Sequence, residues 1–130
     1  MARTNELRAL IETRLGPIKT TYNLADNAIT YRVASDKTMF PHIVFYLDSM
    51  TPTDMGREDY VLDVDIWTKG DQTTAADIAD SVVDLLSFRN DPQQNILPTI
   101  YLTSVGNIED PDKTLCHTVV RFDVQNYRRT

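Results

Sequence analysis

The segment Tyr60-Val61-Leu62-Asp63-Val64-Asp65-Ile66-Trp67 alternates its side chains with a period of two, and this feature constrains the fold more than any other. Successive side chains of a β-strand point to opposite faces of the sheet. One face therefore carries large apolar side chains at every second position from Tyr60 to Ile66. The other face carries Val61, Asp63, Asp65 and Trp67. The alternation predicts a strand between a buried core and a more polar surface.

Two segments have helical periodicity instead. The first helix is predicted over residues 4–15 and should end at Gly16-Pro17, where glycine can take a left-handed conformation and proline prevents continuation. The second helix is predicted over residues 73–86. The two apolar stripes consist of Leu7, Leu10, Ile11 and Leu15 in the first helix and Ile78, Val82, Leu85 and Leu86 in the second.

Four further segments are predicted as strands from their β-branched and aromatic content, namely residues 28–33, 40–47, 99–105 and 117–127. The last two should pair as a hairpin. Residues 48–59 contain Pro52, Gly56 and alternating polar groups, which predict a long, exposed loop between two antiparallel strands.

The order of these elements indicates the fold class. A helix, two or three strands, a helix and two strands predict an α+β fold, with an antiparallel or mixed β-sheet packed against two helices. A length of 130 residues fits one domain, residues 1–130, with one core. The predicted core consists of Leu7, Leu10, Ile11, Ile43, Phe45, Leu62, Val64, Ile66, Ile78, Val82, Leu85, Val120, Phe122 and Val124.

The charge balance and the cysteine content narrow the possible partners and compartment. The formal net charge is −6, from 19 acidic and 13 basic residues, and such a field disfavours tight binding to nucleic acid. Cys116 is the single cysteine, so we expect no internal disulfide and a reducing compartment. Residues 1–16 lack the apolar core of an export signal, and no run approaches the roughly 18 apolar residues that span a bilayer. We therefore expect neither export by a signal peptide nor membrane insertion.

Asp63 and Asp65 form the strongest enzymatic signal. They stand two apart on one strand, so both carboxylates point to the same face and could bind one divalent cation, as in metal-dependent nucleases. The same spacing is also typical of the solvent face of a half-buried strand. A metal site needs a further acidic or histidine ligand, and the sequence identifies none.

Other catalytic patterns are missing from the sequence. His42 and His117 begin separate strand segments, without the spacing of a zinc site, and four glycines are too few for a phosphate-binding loop. Cys116 and His117 are neighbours in a strand and should point to opposite faces, which excludes a thiolate–imidazole pair. We predict no cofactor.

Trp67 lies on the polar face beside Val61. A large aromatic side chain outside the predicted core is typical of protein–protein contacts. A helix covering this face is the alternative explanation.

Several of these segments occur in a recognisable order. A strand led by proline at 40–45 precedes a strand that ends with tryptophan at 61–68, and an Ala- and Asp-rich helix through 78–80 precedes a closing strand from 117 to 122. In this order, over residues 5–127, the chain resembles the tail-completion family of tailed bacteriophages and prophages. The resemblance rests on hydrophobic patterns, and no family residue of known function maps onto a position here.

The resemblance implies a small structural protein that forms a ring, expected to have six subunits, which caps the tail tube and joins it to the head connector. The implied partners are further copies of the chain, the tail tube protein and the head–tail connector protein. The implied location is the tail or neck of the virion, with assembly in the host cytoplasm. No catalysis is implied, and both a tail-terminator and a head-side joining role fit.

A ring also suits the charge of the chain. An acidic wall would let DNA pass without sequence-specific binding. Ring contacts are heterologous, so each subunit needs two different patches. The candidate interface residues are Trp67, Val61, Asp54, Met55 and Arg57.

Two alternatives remain open from the sequence. One is a metal-dependent nuclease that uses Asp63 and Asp65. The other is an interaction module of the same architecture that has no connection with phage tails.

Overall fold

The computed structural model describes residues 3–32, 40–52, 56–70, 72–87, 96–112 and 114–128. The helices in these ranges are α1 (Arg3–Leu15), α2 (Pro17–Thr21) and α3 (Gln72–Leu86). The strands are β1 (Ile29–Tyr31), β2 (His42–Pro52), β3 (Arg57–Lys69), β4 (Ile96–Ile108) and β5 (Leu115–Arg128). No helix in the described ranges has the length and hydrophobicity needed to cross a membrane.

The strands form one mixed sheet. Its order is β1-β2-β3-β5-β4, with β1 parallel to β2 and the other neighbours antiparallel. The helices pack their apolar residues on one side of this sheet, in a single hydrophobic cluster. The α+β prediction, with a mixed sheet against helices, is confirmed, and so is the hairpin formed by the last two strands.

β3 lies in the middle of the sheet and follows the predicted alternation over its whole length. Tyr60, Leu62, Val64 and Ile66 are buried, and the residues between them are partly exposed. Because β3 is hydrogen-bonded on both sides, to β2 and to β5, its two faces are fixed for the whole sheet.

The two long helices bury residues at every fourth position. In α1 these are Leu7, Ile11 and Leu15, and in α3 they are Ile78, Val82 and Leu86. All predicted core residues are buried except Leu10 and Leu85, which are partly buried and pack against the core. The difference arises because successive residues differ by 100° around a helix, and only one of each adjacent pair points directly at the sheet.

The predicted loop over residues 48–59 is wrong. β2 continues to Pro52 and β3 begins at Arg57, so only residues 53–56 connect the two strands. A bulge between Asp48 and Thr51 absorbs one extra residue in β2 and lets pairing resume with Asp59. Gly56 has a φ of 75°, which suits the turn. Two of the candidate interface residues, Asp54 and Met55, lie outside the described residues.

The prediction for the end of the first helix is wrong in its geometry. Gly16 has φ −49° and ψ −44°, a right-handed conformation, and its N–H donates to the carbonyl oxygen of Glu12 at 3.1 Å. Pro17 then begins the short helix α2, since proline at the first helical position loses no hydrogen bond. The Gly-Pro pair therefore marks a junction between two helices.

Candidate functional site

The side of the sheet opposite the helices carries most of the polar side chains of the strands. We call it the outer face. It follows from the strand registers that four rows of residues cross β2, β3, β5 and β4 in that order. The rows are Asp48–Val61–Asp123–Tyr101, Tyr46–Asp63–Arg121–Ser104, Val44–Asp65–Val119–Gly106 and His42–Trp67–His117–Ile108.

Asp63 is bound by an arginine of the neighbouring strand. Arg121 lies directly opposite Asp63 in the register, and its Nε donates to Asp63 Oδ1 at 2.6 Å. The hydrogen bond to Asp63, together with the negative charge of that carboxylate, raises the pKa of Arg121. The side chain of Arg121 is half exposed, so this ion pair contributes little to stability but holds the Asp63 carboxylate in place.

Aromatic and imidazole rings form a continuous row at one end of the outer face. Trp67 stacks on His117 with ring centroids 3.7 Å apart and an angle of 13° between the planes. On its other side, His42 is 6.2 Å from Trp67, and Phe40 is 5.0 Å from His42. We call Phe40, His42, Trp67 and His117 the aromatic row. Each ring lies beside the next because the strand registers place the last three side by side.

Asp65 lies next to this row. Its Oδ2 is 3.5 Å from Nε2 of His117, which is beyond good hydrogen-bond length. Burial raises the pKa of Asp65 above its ordinary value, although His117 acts in the opposite direction. Burial also lowers the pKa of His42, and the neighbouring His117 lowers it further.

The two aspartates share one face as predicted, but they do not form a metal site in the described residues. No group of three or more His, Cys, Asp or Glu side chains in these residues could hold a metal ion. Asp63 is paired with Arg121, and Asp65 faces His117. Both carboxylates therefore have partners within the sheet.

The predicted interface residues occupy different parts of the molecule. Trp67 is partly exposed within the aromatic row, and the helices in the described residues pack on the opposite side, so none of these helices covers this face. Val61 lies between Asp48 and Asp123 on the outer face. Arg57 begins β3, and its Nε is 2.9 Å from Asp59 Oδ1.

Sequence reasoning missed the roles of the two histidines. It treated His42 and His117 as separate strand-end residues, whereas the registers His42↔Trp67 and Trp67↔His117 bring both against one tryptophan. The polar alternation of each strand was visible, but the pairing of residues 25 and 50 positions apart has no local signal.

The lowered pKa of His42 gives a prediction for stability against pH. The unfolded chain binds this proton near the ordinary pKa of 6.5, and the folded chain binds it only at lower pH. In that window the unfolded state binds more protons, so the free energy of unfolding rises with pH and the gain is complete above about 6.5. We expect His42→Phe, which keeps an aromatic ring but cannot titrate, to flatten this rise in urea unfolding measured from about pH 3 to pH 8.

The matched control is Asp65→Asn. The pKa of Asp65 is raised whereas that of His42 is lowered, so the two groups change the free energy of unfolding with pH in opposite directions. With a raised pKa, the folded state holds the proton of Asp65 above 3.8, so stability falls as pH rises through that region. Asp65→Asn should remove this fall and leave in place the rise below pH 6.5 that comes from His42. A His42→Phe profile that overlays the wild-type profile would contradict the assignment.

The fold and the sequence are both similar to known proteins. Residues 8–125 match the model of the family described as tail completion protein gp17. One solved structure, described as the virion of a native gene transfer agent particle, contains a chain 11% identical to this one, with 92% of each chain covered and a TM-score of 0.67. A second solved chain is 12% identical, with 100% of this chain and 99% of the other covered and a TM-score of 0.67. No curated protein matches significantly. At these identities the structural similarity shows a common fold.

Proposed function

This chain belongs to the tail completion protein gp17 family, and from that premise we propose that it forms a ring that caps the tail tube and joins it to the head connector. The family gives the chain a structural role in completing a virion tail. The observation that carries the proposal is the family match over residues 8–125, nearly the whole chain. In the proposed ring, with six subunits, each copy is at the neck of the particle and assembles there in the host cytoplasm.

The charge of the outer face supports passage of DNA through such a ring. Asp48, Asp65 and Asp123 are spread over three strands of this face, and one of its cations, Arg121, is paired with Asp63. A formal net charge of −6 per subunit, repeated around a ring, repels the phosphate backbone. DNA would then slide past without sequence-specific binding.

The aromatic row supplies a surface for the tail tube protein or the connector protein. Trp67 is the type of residue that contributes most binding energy at interfaces, and its stacking on His117 holds it in one orientation. Val61 and Arg57 lie further along the same strand. We propose these three side chains as partner contacts, with Asp54 and Met55 at the connection between the two strands.

The proposal is tested by mass and by binding to tubes. Light scattering of the purified chain over a wide concentration range, alone and with tail tubes of the cognate particle, should detect a species near six times the subunit mass of 14.8 kDa. Electron micrographs should place it at one end of the tube. Unassembled tube protein and isolated head connectors are the controls, since binding to connectors alone indicates the head-side joining role.

A chain that stays at 14.8 kDa under all these conditions and binds neither tubes nor connectors would contradict the proposed function. Trp67→Ala then separates assembly from docking. It should preserve the ring while weakening attachment to the tube by at least about tenfold, which corresponds to the loss of one strong interface residue.

A further inference from the structure

The edge strand β4 is long and carries no charge. It lies at the end of the sheet order, and in the described residues no strand pairs with its outer side. None of its 13 residues is charged, and it ends the longest uncharged run of the chain, residues 92–108. β3 at the centre of the sheet, by comparison, carries charged residues on both of its faces.

Exposed apolar side chains are concentrated on this strand. Val105 and Ile108 are 51% and 50% exposed, more than any other exposed large hydrophobic residue in the described ranges. Their strand partners are Val120 and His117, which lie on the core side and on the outer face respectively. The apolar surface therefore extends around the edge of the sheet. The exposed large hydrophobic residues of β4 are Leu97, Tyr101, Leu102, Val105 and Ile108.

Such an edge is unfavourable for an isolated protein. An uncovered, uncharged strand offers its N–H and C=O groups and its apolar side chains to any other strand, and soluble proteins usually block it with lysine or another charge. β4 has no such charge. Pro98 and a bulge between Leu102 and Ser104 limit the length over which a neighbour can pair, which favours one defined contact over open-ended stacking.

Electrostatics favours a second copy of this chain as the partner. Copies that each carry a net charge of −6 repel one another overall, so close approach is favoured at a surface that brings no carboxylates together. β4 is such a surface. A basic partner would instead be attracted to the carboxylates of the outer face, because an uncharged edge offers it no electrostatic attraction.

We propose that β4 is the contact between subunits of the ring, where its outer edge pairs with a neighbouring copy of this chain. This inference rests on the proposed function, in which copies assemble in a closed ring. A ring needs a heterologous contact, so the β4 edge of one copy docks against a different surface of the next. The contact combines main-chain hydrogen bonds between the two copies with burial of the Val105 and Ile108 side chains.

Val105→Lys tests the contact directly. A lysine at this position is well tolerated in the separate subunit, because Val105 is already half exposed, but it buries a charge when a neighbouring strand pairs there. We expect the concentration needed for half-assembly to rise by at least about tenfold, measured by light scattering with and without tubes. The control is Thr13→Lys, the same change of charge at an exposed site on α1, which should assemble like the wild type.

A second measurement uses the unmutated chain and does not depend on the folding of any variant. Hydrogen exchange of residues 96–108 should slow on assembly, whereas exchange of the outward surface of α1 should not change. Slower exchange of β4 on tubes that carry only single subunits would assign the edge to the tube protein and overturn the proposal.

The outcomes separate this inference from the proposed function. If the wild type forms rings and Val105→Lys assembles as well as Thr13→Lys, with no protection of β4, then β4 is not the contact and the ring function stands. If the wild type assembles neither alone nor on tubes or connectors, both the function and this inference fail.

Discussion

Phe122→Ala is expected to lower the free energy of unfolding by about 3–5 kcal/mol, the usual cost of removing a buried phenylalanine ring. Phe122 is 0% exposed and lies at the middle of β5, opposite Leu62 of β3 and Leu102 of β4. Its ring packs in the cluster between the sheet and the helices. The loss has two parts. The variant no longer gains the free energy of burying the ring away from water, and it is left with a cavity that the fixed strands on both sides cannot close.

Urea unfolding measures this effect as a lower midpoint with an unchanged slope, because the surface exposed on unfolding changes little. Phe40→Ala is the matched control, since it removes the same ring from a site that is 38% exposed. It should cost much less than Phe122→Ala. Equal costs for the two variants would mean that Phe122 does not lie in a close-packed core.

Ile11→Ala has the second largest expected effect, about 2–5 kcal/mol. Ile11 is 0% exposed, between Leu7 and Leu15 on the buried side of α1. α1 contacts α3, β1 and β4, so the ends of the sheet depend on this helix. A cavity here should loosen elements that are distant from one another in the sequence.

The control for Ile11→Ala is the neighbouring residue. Leu10→Ala removes the same number of carbon atoms as Ile11→Ala, but from a partly buried position, so it should cost distinctly less. Thermal unfolding of both variants at one pH gives the comparison. A larger loss for Leu10→Ala would mean that α1 is rotated about its axis relative to the described structure.

The element pattern of the chain was largely predictable. Each strand and long helix that the periodicity predicted is present, and the two faces of β3 carry the predicted residues. The errors lie at boundaries. Pro52 and Gly56 indicated a loop over residues 48–59, but a bulge at Asp48–Thr51 lets β2 stay paired with β3 as far as Pro52. α1 ends at Leu15, as Gly16-Pro17 indicated, but the short helix α2 follows directly.

The candidate site was predictable only in part. The alternation placed Asp63, Asp65 and Trp67 on one face, and the order of elements led to the tail-completion family. The alternation did not show which side chains these three residues contact. Asp63 could have been a metal ligand, and the structure instead pairs it with Arg121 at 2.6 Å.

Tertiary structure alone decided which side chains became neighbours. Trp67 lies between His42 and His117, and β4 lies at the edge of the sheet, because β5 pairs with β3 and separates β4 from it. The period of a strand is a local property of its own side chains, so the sequence by itself determined the elements and their buried faces. The net charge is a sum over residues and was likewise determined by the sequence. The order and register of strands depend on burial summed over the whole core, and this sum exists only once the chain has folded.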